Sequence, residues 1–89
     1  MDCFHLSIVA RGSVPFRGLA QACTVMETTG SRTFEAHHER FLTVLASPSV
    51  VTFRDEAGRE GRVAVVSGLL GFSENSCSVV VELEASTRN

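Results

Sequence analysis

Apolar residues recur along this chain at every second position, in short runs parted by polar segments carrying glycine, proline or serine. A period of two belongs to half-buried strands, whose successive side chains point to opposite faces. Residues 49–72 organise the rest. Val50, Val51, Thr52 and Phe53 form one apolar run, and Val63, Ala64, Val65 and Val66 form another. Between them, residues 54–62 hold no apolar side chain larger than alanine. β-branched and aromatic residues suit a pleated surface, and a polar connection with glycine turns the chain. An antiparallel hairpin is therefore predicted, with its reversal at Gly58, where a positive φ costs no Cβ clash. Its apolar face needs a second layer.

The other segments supply that layer. Phe4, Leu6 and Ile8 alternate with His5, Ser7 and Val9. A turn at 11–13 precedes a short extended piece, Val14-Pro15-Phe16, which Pro15 confines to an edge because it has no N–H to give a ladder. Arg17-Gly18 predicts another turn. Residues 19–27 alternate weakly, with Leu19, Cys23 and Val25 on one face and Gln21 interrupting it. A loop at 28–31, a short extended piece at 32–34 and a polar loop at 35–40 follow. Residues 41–45 are apolar again, and 46–48 turn into the hairpin. Residues 68–71 predict a bulge or bend, and 73–76 a turn. In the last strand Cys77, Val79, Val81 and Leu83 alternate with Ser78, Val80, Glu82 and Glu84.

The pattern predicts an all-β fold. It is a small flattened β-sandwich or barrel of about ten short, mainly antiparallel strands, with no helix longer than two turns. The domain spans residues 1–84, and 85–89 are a flexible end. The predicted core draws on Phe4, Leu6, Ile8, Val25, Phe41, Val51, Phe53, Val63, Val65, Phe72, Val79 and Val81. Leu69-Leu70 divides evenly between core and partner surface.

Composition narrows the function. The 89 residues are 44% hydrophobic and carry a net charge of −2. No basic field would attract phosphate, so nucleic acid is excluded as the main partner. No apolar run nears the ~20 residues of a membrane span, and no basic region followed by an apolar block marks a secretory signal. Cys3, Cys23 and Cys77 are odd in number and far apart, which suits a reducing, intracellular setting. Cys23 and Cys77 fall in apolar alternation, as small core residues do.

Candidate chemistry is sparse. His37, His38 and Glu39 are ligand-type residues, but adjacent histidines in a strand point opposite ways and no metal-binding spacing accompanies them. No serine has a legible His–Asp arrangement. Gly68-Leu69-Leu70-Gly71 lacks the lysine and helix of a phosphate loop. No catalytic residue, metal or cofactor is expected.

Four stretches nevertheless resemble one family, the N-terminal β-sandwich of the epsilon subunit of bacterial F-type ATP synthases, over residues 4–83. FHLSIVA is similar to its first strand, and VPFRGLAQACTV to its F-x-G turn and following strand, with Phe16 and Gly18 in the motif positions. HHERFLTVLASPSVVTFRD resembles the segment with Pro-Gly-His-Ala-Pro, Leu-Leu-Thr and a Pro-Gly turn. VAVVSGLLGFSENSCSVVVE resembles the Ser-Gly-Gly strand, the asparagine turn and the last strand. Departures are Ala36 and His37 for the proline and glycine before His38, Arg40 for the second proline, Leu69 for the second glycine, and one extra residue in the 46–48 turn. Many relatives continue into a helical hairpin, a regulatory arm that in some carries an ATP site; here six residues follow Leu83.

The resemblance implies a non-catalytic rotor part of the central stalk. It would join the gamma subunit to the c-ring, so that ion-driven rotation is coupled to ATP synthesis. It would lie peripherally on the cytoplasmic side of the bacterial inner membrane. The motif positions imply a ring-facing end with the Gly30-Ser31-Arg32 loop and His38, and a gamma-facing strand with Leu42 and Thr43. The alternative is a β-sandwich binding or adaptor module of unrelated ancestry.

Overall fold

The computed structural model describes residues 2–84, so the end predicted at 85–89 lies outside the described residues. Seven strands form: β1 (Phe4–Ala10), β2 (Ser13–Glu27), β3 (Gly30–Glu35), β4 (Phe41–Val44), β5 (Ser49–Asp55), β6 (Glu60–Ser73) and β7 (Ser76–Leu83), with no helix among the described residues. β1 pairs with β2, β2 with β5, β5 with β6 and β6 with β7, all antiparallel; β7 returns to β1 in parallel. These five strands close a ring. β3 extends it from β2, and β4 from β6.

The strand count is seven rather than about ten because β2 and β6 each run unbroken through two predicted strands and serve both layers. The first half of β2 lies on β1 and the second half on β3 and β5. β6 passes likewise from β5 to β7 and β4. Each long strand carries an irregularity where it crosses, between Ala20 and Ala22 in β2 and between Val65 and Ser67 in β6. One extra residue there reverses which parity faces inward. In β2 the buried positions change from Ala20 to Cys23 and Val25; in β6 they change from Val65 to Leu70 and Phe72. The interruption at Gln21 is this crossing. Arg17-Gly18 is no turn, since both residues pair with β1, opposite Ser7 and Leu6.

The hairpin forms with β5 and β6 as its arms. Gly58 takes φ +87°. The Asp55 carboxylate accepts the N–H groups of Ala57 and Arg59, each at 2.9 Å, which closes the turn. Opposite Phe53 stands Gly61, where a Cβ would collide with the Phe53 ring. The ring lies across that glycine and against Phe16, centroids 4.4 Å apart.

The core between the layers keeps nine of the twelve predicted residues buried; Phe41, Phe53 and Val63 pack against it half-buried. It adds Phe34, Leu45 and Leu70, whose short or irregular segments gave a weak alternation. Leu70 and Leu69 separate by strand parity, the first buried and the second half exposed. Cys23 and Cys77 meet inside the core as thiols. Their mutual hydrogen bond and their burial push the Cys77 pKa up, so it stays protonated.

Candidate functional site

The two outer faces of the sandwich differ in chemistry. On the face of β3, β2, β5 and β6, cross-strand neighbours line up as Glu35, Ala22, Arg54 and Glu60, and beside them as Thr33, Thr24, Thr52 and Arg62. Arg54 pairs with Glu60 at 3.6 Å, and the Thr24 and Thr33 hydroxyls bond at 2.8 Å. Charges and hydroxyls there are at home in water.

The opposite face, on β1, β7, β6 and β4, is uncharged at its centre. Val9, Val80, Leu69 and Val44 are successive cross-strand partners and form an apolar row. The next row, Ser7, Ser78, Gly71 and Leu42, is small until it ends on Leu42. Leu42 is 75% exposed, Val44 65%, Val80 55% and Leu69 50%. Glu82, bonded by Ser67 at 3.4 Å, marks one border, and Arg17 stands across β1 from Ser7. A contiguous apolar strip of this kind marks an interaction surface.

Leu42 and Thr43, predicted together, point opposite ways. Leu42 belongs to the apolar face. Thr43 turns inward, where its hydroxyl donates to Glu27 Oε2 at 2.5 Å, and the same oxygen takes the Arg32 Nε–H at 3.0 Å. The network ties β4 to β2 and β3 across the open edge of the sandwich. The Thr43 bond, then that of Arg32, holds the Glu27 carboxyl below its ordinary 4.5. A lowered carboxylate adds stability above the unfolded pKa and loses it as pH falls through the folded value. Thermal melts are expected to fall as pH drops below about 4.5, and Glu27→Gln to flatten that acid limb. An unchanged limb in the variant would place the acid sensitivity elsewhere.

The other predicted positions follow β3. Gly30 (φ +134°) and Ser31 are exposed at the β2–β3 tip. Arg32 is a strand residue, and its guanidinium lies over the Phe41 ring, 4.3 Å from the centroid. His38 follows the far end of β3, so Gly30 and His38 stand at opposite ends of that strand instead of in one loop cluster. The His38 ring packs on Phe34 (4.6 Å), Phe72 (5.5 Å) and Phe41 (5.9 Å), and its Nδ1 lies 2.8 Å from Glu39 O. Phe41 thus joins His38 to Arg32.

Asn75 positions that loop. It sits with Glu74 in a turn where both have positive φ, the geometry of a tight two-residue hairpin. Its side chain accepts the His37 N–H at 2.7 Å and donates to Cys3 O at 3.0 Å. The sequence marks Asn75 as a turn residue; its grip on residues 72 and 38 positions away is visible only in the fold. The apolar row was missed for a similar reason, since Val9, Val44 and Val80 become neighbours only through register. Among the described residues no group of three His, Cys, Asp or Glu could hold a metal ion, and no helix is long and apolar enough to cross a membrane.

Comparison with known proteins bears on the fold and the family. Two solved structures share the fold. One is a chain of the Euglena gracilis mitochondrial ATP synthase (OSCP/F1/c-ring in rotational state 1), at TM-score 0.76 and 16% identity over 91% of this chain and 50% of that one. The other comes from the Tetrahymena thermophila mitochondrial ATP synthase central stalk and c-ring, at TM-score 0.72 and 16% identity over 88% of this chain and 62% of that one. This chain thus spans between half and two thirds of the length of each. No curated protein matched it. The family described as ATP synthase, Delta/Epsilon chain, beta-sandwich domain matches residues 3–84, which sets aside an unrelated ancestry. Nearly every described residue falls within that match, and by it the chain belongs to the ATP synthase Delta/Epsilon β-sandwich family.

Proposed function

We propose that this domain is a non-catalytic rotor part of an ATP synthase central stalk, holding the gamma subunit to the c-ring so that ring rotation turns gamma. One observation carries the reading: one sandwich face holds an apolar row unbroken by charge from β1 to β4, while the opposite face is charged and hydroxylated. A rotor joint transmits torque, so it needs a rigid body with one permanently covered face. Gamma docks on the row Val9, Val80, Leu69 and Val44 and on Leu42, with Thr43 holding β4 in place from within.

The ring-facing surface is the β3 edge, with Gly30 and Ser31 at its tip, Arg32 along it and His38 at its far end. The domain works peripherally, on the membrane side that carries the catalytic head, which in a bacterium is the cytoplasmic side. Calorimetric titration of the purified chain with gamma tests the reading. A stoichiometric complex supports it; no binding at micromolar concentrations of both overturns it.

A further inference from the structure

β4 is an open strand edge beside the apolar face. Among the described residues it pairs with β6 alone. The Leu45 N–H donates to Gly68 O at 2.9 Å, and bonded pairs alternate with non-bonded ones along an antiparallel ladder. Thr43 and Phe41 therefore bond β6 as Leu45 does, whereas the N–H and C=O groups of Leu42 and Val44 point to the open side. The same two residues carry the most exposed of the large apolar side chains.

Proteins blunt exposed edges with charge, proline or a bulge. Residues 41–44, FLTV, contain no charge and no proline, and the open stretch ends at Ala46, whose N–H donates to Met26 O at 2.7 Å. The other open edge, β3, instead turns Ser31, Thr33 and Glu35 outward.

We propose that β4 is completed by strand addition: an extended segment of the gamma subunit, apolar at alternate positions, pairs with its open edge and continues the apolar face beyond Leu42 and Val44. The inference rests on the gamma-docking reading above. Size decides against a second copy as occupant. A four-residue strand is only about 14 Å long, and edge pairing of two copies would bury far less than the ~1,200–2,000 Å² of a stable interface. The edge also continues the apolar row, so a partner seated on that row reaches it within the same association. The segment carries no proline where it bonds Leu42 and Val44.

Val44→Pro removes one outward N–H and leaves the β6 bonds of Phe41, Thr43 and Leu45 in place, whereas Val44→Thr keeps the N–H and the shape. With both variants shown to fold by thermal melts, Val44→Pro is expected to bind gamma about tenfold more weakly than Val44→Thr. Equal affinities overturn strand addition while gamma docking stands. Amide exchange on the wild-type complex gives a reading that needs no variant. The Leu42 and Val44 N–H groups, fast in the free chain, are expected to slow by about a hundredfold or more on binding gamma. Exchange that stays fast in a formed complex overturns the proposal. Protection in the free chain together with a dimer mass assigns the edge to a second copy and overturns it as well.

Discussion

Leu42→Asp is expected to leave the domain folded and to weaken gamma binding by about a hundredfold or more. At 75% exposure Leu42 contributes little to the core, so its replacement by a charged side chain meets water in the free domain. On binding, the new carboxylate would be buried beside the apolar row, next to Val44, Leu69 and Gly71. Forgoing leucine burial costs about 2 kcal/mol, and an unpaired charge adds more, so ~3 kcal/mol is a lower figure for the total. That corresponds to more than ~100-fold in Kd. Titration reads the affinity, and a melt checks the fold. Wild-type affinity from a folded variant would mean that gamma does not sit on this face.

Phe34→Ala is expected to have the largest effect on stability. Phe34 is fully buried, and its ring packs on His38 at 4.6 Å, Phe41 at 5.8 Å and Phe72 at 6.0 Å. It lies on β3 and Phe72 on β6, so the pair ties the two layers together where no strand crosses between them. Truncating a buried phenylalanine costs about 3–5 kcal/mol, a large share of the ~5–15 kcal/mol that holds a small domain together. Urea unfolding should show a much lower midpoint with an unchanged slope. A loss under about 1 kcal/mol would mean that the site collapses around the smaller side chain. The His38 loop should loosen together with the core, because three phenylalanine rings are what the imidazole rests on.

Much of this domain was legible residue by residue. Alternation placed β1, β5 and β7 almost to their ends and found the start of β6, and Gly58 marked the turn of the hairpin. Pro15 indicated an edge, and the β2 ladder there is irregular between Ile8 and Ala10. The candidate site was legible only in part. Leu42 was placed on a partner surface, but the surface itself was not visible. Alternation placed Arg32 in an extended piece, as β3 has it, whereas the motif match placed it in a loop; neither showed its charge against Glu27 at 3.0 Å. That carboxylate gave no signal, because a glutamate before a turn ordinarily faces water.

The sequence by itself determined the strand period, the turns, most of the core and, through its four motif stretches, the family. These are local quantities: a side chain's polarity and the backbone freedom of the next few residues decide them. Only the tertiary structure decided that β2 and β6 are single long strands, because the crossings at 20–22 and 65–67 reverse the inward parity and break the alternation. It alone decided which side of β4 faces out. It alone set Val9, Val80, Leu69 and Val44 side by side. Register between strands far apart in the chain follows from closing the β1–β2–β5–β6–β7 ring around one core, and no local pattern carries that closure.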